Sequence, residues 1–209
     1  MIMVDYRDIL EFWLGTTELS AEIERQEIWF RSTAEFDAEI REKFGAAWQA
    51  AARGELDHWM GAPDSCAALI VLLDQFPRNM FRGQERAFST DPKARIAANR
   101  VVEHGWDKGF GGRVRTFCYL PFEHSEFAAD QDRSVSLMAG VDEERALKAA
   151  EEHRDAILRF GRFPHRNAAL GRTNTPEEQE YLKDPPGWGK TAAEAAELER
   201  KKAESEEQS

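Results

Sequence analysis

Apolar side chains recur every three or four residues along most of the chain, which is the spacing that places them on one face of an α-helix. The longest such stretch runs from Glu22 to Phe44. A second segment, CAALIVLL at residues 66–73, is apolar on every side, which is typical of a helix inside a core. No pair of strands is indicated. The pattern therefore predicts an all-α protein with residues 66–73 at its centre.

Capping and helix-breaking residues divide this pattern into about eight helices. Asp5 and Gly15 bracket the first helix, and Asp91 followed by Pro92 predicts the start of a helix that stops before Gly105. The other helices are expected near residues 22–44, 64–74, 113–121, 123–138, 142–160 and 175–183. Short connections of this kind favour helices stacked as antiparallel pairs. No clean repeat near 34 residues is present, so periodicity alone does not show a repeat fold.

The composition separates a body from a tail. The chain has 209 residues, of which 42% are hydrophobic, and this suits one folded unit over residues 1–190. Residues 191–209 are rich in Ala and Glu and hold one large aliphatic side chain, Leu198. We therefore expect a single helical domain followed by a charged tail that is a frayed helix or disordered.

The net charge of −11 limits the class of partner. Nucleic-acid binding and binding to an anionic membrane surface both rely on basic patches, so neither is expected. The start of the chain has no basic leader, and the longest apolar run is too short to cross a bilayer, which predicts a cytoplasmic protein. Cys66 and Cys118 lie among apolar residues and are expected to be buried thiols. The oligomeric state is left open.

Three polar segments interrupt the amphipathic background, at residues 74–82, 121–131 and 153–172. The third carries five arginines and a single acid between residues 154 and 172, which is a local excess of +4 on an acidic chain. The planar guanidinium fork binds carboxylates and phosphates, whether they belong to a ligand or to the protein. The cluster therefore indicates either internal ion pairs, with Asp74, Glu123, Glu126 or Asp130, or a ligand site.

The second polar segment offers an imidazole beside acids. On a continuous helix Glu123, Glu126 and Asp130 would share one stripe, with His124 on the next. The chain has no His-Glu-x-x-His helix and no two Glu-x-x-His motifs of the kind that together build a di-iron bundle, so no metal and no cofactor is predicted. His124, Glu126 and His153 would converge only through the tertiary structure.

The same segments resemble a known family. The sequences EFWLG, GELDHW, LIVLLDQFPRNMFRG, YLPFEHSE, DQDRSVSL and ILRFGRFPHRNAALGRTNTPEE are similar to the bacterial family known as domain of unknown function 924, over about residues 6–185. The resemblance implies a helical array of the tetratricopeptide kind and no established reaction. The positions that match the family signature are Asp74, Gln75, Arg78, Asn79, Arg82, His124, Glu126, Gln131, His153, Arg162, His165, Arg166, Asn167 and Arg172.

These observations lead to three hypotheses about function. The first is a protein that binds a small anion, either a carboxylate, a phosphate or the carboxylate end of a peptide, in a cleft where the three polar segments meet. The ligand-binding candidates are Arg78, Asn79, Arg82, Gln131, His153, Arg162, Arg166 and Asn167. The second is a hydrolase in that cleft, with His124 as the base and Glu126 as its orienting partner, and with His165 as a further catalytic candidate. The third is a tetratricopeptide-like scaffold for protein interactions.

Overall fold

The computed structural model describes residues 4–29, 32–141, 144–186 and 200. Every regular element among these residues is helical, which confirms the all-α prediction. The helices are α1 (Tyr6–Leu14), α2 (Ala34–Ala52), α3 (Pro63–Ile70), α4 (Phe76–Met80), α5 (Asp91–Glu103), α6 (Gly112–Glu123), α7 (Ala128–Met138), α8 (Glu144–Phe160) and α9 (Pro176–Tyr181). Short 3-10 turns cover Glu27–Trp29, Asp57–Gly61, Glu85–Phe88, Trp106–Gly109 and Pro164–Arg166.

Several helix ends lie where their capping residues predicted. The Asp5 side chain accepts the Arg7 N–H, and Gly15 ends α1 in the left-handed region with φ at 73°. A capping box joins Thr175 to Glu178 at the start of α9. The predicted tail at 191–209 lies outside the described residues, apart from residue 200.

The long amphipathic stretch at 22–44 is not one helix, contrary to the prediction. The chain runs without regular structure before the turn Glu27–Trp29, and α2 begins after Thr33, whose hydroxyl accepts the Phe36 N–H at 3.2 Å. The helix then continues through Gly45 to Ala52. The start of α2 is fixed by this cap, because the Thr33 side chain satisfies one of the N–H groups that have no partner within the helix. The spacing of apolar residues does not indicate where such a cap lies.

The expected helix at 123–138 is also divided. Helix α6 ends at Glu123 and α7 begins at Ala128. The Ser125 hydroxyl accepts the Phe127 N–H at 3.2 Å and donates to Asp130 at 2.6 Å, which closes a turn between the two helices. Glu123 and Glu126 therefore do not share a helical stripe.

The apolar segment 66–73 is buried throughout, as predicted. Helices α1, α2, α5 and α6 pack around α3 and the residues that follow it. No helix in the described ranges combines the length and the apolar composition that crossing a bilayer requires. Both cysteines are buried free thiols, and burial raises the pKa of each. The tetratricopeptide-like stacking and the single-domain organisation stay predictions.

A π-helical turn at Val71–Gln75 joins α3 to α4. The Phe76 N–H bonds to the Val71 carbonyl, five residues back. Pro77 has no N–H to donate to the Leu73 carbonyl, and that carbonyl instead accepts the Thr90 hydroxyl at 2.6 Å. Asp74 lies within this wider turn, and its side chain is fully buried. Such bulges are frequent at functional sites.

Candidate functional site

Ionisable side chains from separate helices meet beneath this π turn. We call this group the buried polar cluster, and its members are Asp74, Arg78, Asp91, Glu123, His124, His153, His165 and Arg166. Burying so many ionisable groups is expensive unless they are paired, and perturbed groups of this kind concentrate at functional sites. The cluster is therefore the candidate site.

Asp74 and His124 form the central pair of the cluster. The His124 Nδ1 atom lies 2.9 and 3.0 Å from the two Asp74 carboxylate oxygens. Burial opposes ionisation of Asp74, but the charge of Arg78 and the bond from His124 outweigh it and lower the Asp74 pKa to about 2. Burial and the charge of Arg78 hold the His124 pKa below its ordinary value. The imidazole is therefore neutral near pH 7, donates Nδ1–H to Asp74 and carries its lone pair on Nε2.

Glu123 and His153 lie beside this pair. Gln131 is fully buried, and its amide donates to the carbonyls of Glu123 and Ser125, each at 2.6 Å, which fixes the end of α6. The Glu123 side chain is 4% exposed, and its Oε1 lies 3.2 Å from His153 Nδ1. Burial, with the negative charge of Asp74, raises the Glu123 pKa to about 8. Burial also holds the His153 pKa well below its ordinary value.

The cluster holds two arginines that share one carboxylate. Arg78 binds Asp91 through both terminal nitrogens, at 2.9 and 3.0 Å. The Arg166 guanidinium carbon lies 4.6 and 4.5 Å from the ring centroids of Phe88 and Phe163, and Nη1 reaches Asp91 at 3.4 Å. Burial and the nearby charge of Arg78 lower the Arg166 pKa to about 10. The Arg166 side chain is therefore buried, and its hydrogen bond to Asp91, the carboxylate that it shares with Arg78, is weak.

Other arginines of the third segment are engaged by acids of the protein. Arg162 binds Glu178 through Nε and Nη2, at 2.6 and 2.8 Å, and also donates to the Thr173 carbonyl. Arg172 binds both oxygens of Glu126, at 2.8 and 2.9 Å. Of the two interpretations of the basic segment, internal ion pairing therefore describes Arg162 and Arg172.

The remaining predicted site residues fall into two groups, those inside the buried polar cluster and those outside it. The structure brings Arg78, His124, His153, His165 and Arg166 together in the cluster. Elsewhere Asn79 and Arg82 both bind Asp37, and Asn167 donates to Asn174. Glu126 accepts hydrogen bonds from Arg172 and from the Phe163 N–H. The acid that bonds to His124 is therefore Asp74 and not Glu126, contrary to the prediction.

Sequence reasoning named Asp74 and Glu123 only as possible ion-pair partners, not as catalytic or ligand-binding candidates, and it gave Asp91 the role of a helix cap. The actual cap of α5 is Thr90, and Asp91 is the first helical residue, which binds Arg78. A usable signal was an acid directly after the apolar run 66–73, since an ionisable group so close to the core has to be paired.

The pair formed by Arg162 and Glu178 gives a pH-dependent prediction. The hydrogen bond from Arg162 lowers the Glu178 pKa from 4.5 to about 2. A depressed pKa contributes stability that is present above about pH 4.5 and is lost as the pH falls towards 2. Urea unfolding between pH 6 and 3 should show the advantage of wild type over Glu178→Gln shrinking as the pH falls.

The matched control for this experiment is Glu177→Gln. Glu177 pairs with Arg159 in an exposed salt bridge, which contributes little to stability. The difference between wild type and Glu177→Gln should stay small and flat over the same range. An advantage of wild type over Glu178→Gln that does not change with pH would contradict the depressed pKa.

Comparison with known proteins identifies relatives and gives no reaction. The model of a family described as bacterial protein of unknown function (DUF924) matches residues 9–186. A solved structure of a protein of unknown function from Agrobacterium tumefaciens is similar, with a TM-score of 0.79 and 43% identity, over 86% of this chain and 97% of that one. No curated protein matches.

Proposed function

The chain belongs to the DUF924 family of bacterial proteins of unknown function, and we propose that it binds a small anionic ligand, a carboxylate or a phosphate, at Arg166. One observation carries this proposal. Arg166 is 5% exposed, and its Nε atom has no hydrogen-bond partner in the part of the chain that the structure describes. A buried donor without an acceptor costs about 1–3 kcal/mol, and an oxygen of a bound anion would remove that cost.

The surroundings of Arg166 favour an anion over a neutral ligand. The rings of Phe88 and Phe163 both pack against the guanidinium, which restricts its movement and favours a fork already oriented for a planar or tetrahedral oxyanion. The pKa of His165 is lowered to about 3 by its burial and by the positive charges of Arg166 and Arg78. Positive charges therefore act on His165, beside Arg166, although the chain as a whole is acidic.

Thermal melts test the proposal. Phosphate or succinate should raise the melting temperature of the wild-type protein, with a rise that grows with ligand concentration, because a ligand that binds the folded state stabilises it by mass action. At one hundred times Kd the stabilisation amounts to about 2.7 kcal/mol. Arg166→Lys should remove this response, since a lysine keeps the charge and lacks the planar fork.

The matched control is Arg162→Lys, which makes the same change at an arginine whose fork is occupied by Glu178. This variant should respond to the anion like the wild type. Sodium chloride at equal ionic strength measures the general effect of salt. A wild-type melting temperature that follows ionic strength alone, or an equal response in the Arg166→Lys protein, would rule out an anion site at Arg166.

The pairing of His124 with Asp74 supports a second function, which is hydrolysis by a general base. A carboxylate that accepts Nδ1–H holds the imidazole in the tautomer that takes up a proton at Nε2. The hydrolase hypothesis then uses Asp74 in place of Glu126. In a screen with generic phosphate and carboxylate esters, His124→Gln and Asp74→Asn should both lose any turnover that Glu126→Gln retains.

The other hypotheses from the sequence stay predictions. A scaffold of the tetratricopeptide kind needs an open concave surface for a partner. The cytoplasmic location, the lack of nucleic-acid partners and the frayed tail also stay predictions, and they rest on composition and charge.

A further inference from the structure

Three side chains with metal-ligating atoms converge at the end of α6. One ligating atom from each of Glu123, His124 and His153 lies within 4.8 Å of the others. We infer that these three residues bind a divalent transition-metal cation of the zinc class. The inference goes beyond anion binding, because it uses none of the arginines and does not depend on the proposed site at Arg166.

Hydrogen bonds at Nδ1 orient both imidazoles, and His153 Nδ1 also lies 3.2 Å from Glu123 Oε1. His124 donates Nδ1–H to the Asp74 carboxylate, and His153 Nδ1 lies 2.8 Å from the Ala149 carbonyl, which can only accept. The lone pair of each ring is therefore on Nε2. A histidine that binds a metal usually donates its second N–H to a carboxylate or a backbone carbonyl, and this partner fixes the orientation of the ring.

Glu123 supplies an independent observation that indicates a ligand. Its side chain is 4% exposed, and its Oε2 atom has no hydrogen-bond partner in the described ranges of the chain. A buried carboxylate oxygen without a donor is costly, and a cation would satisfy it. The carboxylate also lies near the charges of Asp74 and Glu152, so the ion would meet a locally acidic environment.

The set of two imidazoles and one carboxylate indicates which class of metal fits. The same set binds catalytic zinc, where three protein ligands leave a fourth position open. The His124 side chain is 15% exposed, whereas those of Glu123 and His153 are 4% and 5% exposed, so the open position would face the His124 side. Ligand atoms in a tetrahedral zinc site lie about 3.3 Å apart. Because the ligand atoms here lie up to 4.8 Å apart, binding requires the side chains to draw together by up to about 1.5 Å, through rotamer adjustments.

A zinc titration of the tag-free full chain, treated with a chelator and dialysed, tests the inference. Isothermal calorimetry should give about one Zn²⁺ per chain for the wild type. Glu123→Gln and His153→Gln should each weaken the binding at least about 100-fold, because each removes a direct ligand. Asp74→Asn removes only the partner of His124 and should weaken the binding about 10- to 100-fold.

A control separates this site from other sources of zinc affinity. His58→Ala removes an exposed histidine elsewhere on the chain and should leave the zinc affinity unchanged. The titration contains no phosphate and no carboxylate ligand, so failure of the anion proposal would not affect this result. Zinc that binds Glu123→Gln and His153→Gln as tightly as it binds the wild type would overturn the assignment.

A direct measurement covers the case in which a variant fails to fold. Anomalous diffraction from zinc-soaked crystals of the wild-type protein should place a peak about 2.0–2.1 Å from a nitrogen of His124 and of His153. A titration without wild-type binding, or a zinc peak only at other residues, would overturn the inference without any variant.

Discussion

Replacing Gly111 with alanine is expected to lower the free energy of unfolding by about 3 kcal/mol, which is the upper end of the cost of overpacking. Gly111 directly precedes α6, and its N–H donates to the Leu19 carbonyl at 2.7 Å. A Cβ at this position would press against the backbone carbonyl of Ala21, at a separation that real Cβ atoms essentially never show. Because the obstacle is backbone, no rotamer change relieves the clash, and the segment around residues 19–21 has to leave α6.

Gly109→Ala is the matched control, since it makes the same substitution two residues earlier. A Cβ at Gly109 would meet nothing within 4 Å. Urea unfolding of the three proteins measures the difference, and only the Gly111 variant should show a large decrease in the midpoint. Equal midpoints for the two variants would mean that the segment around Ala21 yields without cost, contrary to the close packing described here.

Asp91→Asn is expected to cost about 3–5 kcal/mol, because it leaves two buried arginines without their shared carboxylate. Arg78 binds Asp91 through two hydrogen bonds, and Arg166 reaches the same carboxylate. The side chain of asparagine has nearly the same shape, so the loss reports charge rather than packing. Arg78 keeps a second acid in the variant, because Asp74 lies 3.2 Å away. Most of the expected loss of stability therefore comes from Arg166.

Glu55→Gln is the control for this variant, since it removes one acid of the exposed pair with Arg53. Its unfolding curve should overlay that of the wild type, as expected of an exposed ion pair. If Asp91→Asn also overlays the wild type, the two buried arginines do not depend on Asp91, and the account of the cluster given above is wrong.

Asp74 connects the two proposed binding sites. Its carboxylate accepts the His124 N–H and lies 3.2 Å from Arg78, which shares Asp91 with Arg166. Asp74 and Arg78 therefore link the cation site at Glu123 and His124 to the anion site at Arg166 through hydrogen bonds and ion pairs. Adding Zn²⁺ during the phosphate melts would show whether one ligand changes the affinity for the other, and any such coupling has to be reciprocal.

The sequence by itself determined the helical class, the burial of residues 66–73, and the ends of α1 and α9. These features depend on interactions within a few residues, namely apolar spacing that matches the helical repeat and side chains that cap nearby N–H groups. The sequence also pointed to the correct polar segments, because charged residues close to an apolar run have to be paired when the chain folds.

The tertiary structure alone decided what each polar residue does. Arg162 and Arg166 are four residues apart and indistinguishable in the sequence, yet Arg162 binds Glu178 with a full fork while the Nε of Arg166 is buried without a partner. His124 is oriented by Asp74, which is 50 residues away in the chain, and not by nearby Glu126. The partner of a side chain depends on which helices pack together and how they are rotated, and here a π turn and the break after Glu123 set that rotation. The spacing of apolar residues along the chain indicates neither the π turn nor the break after Glu123.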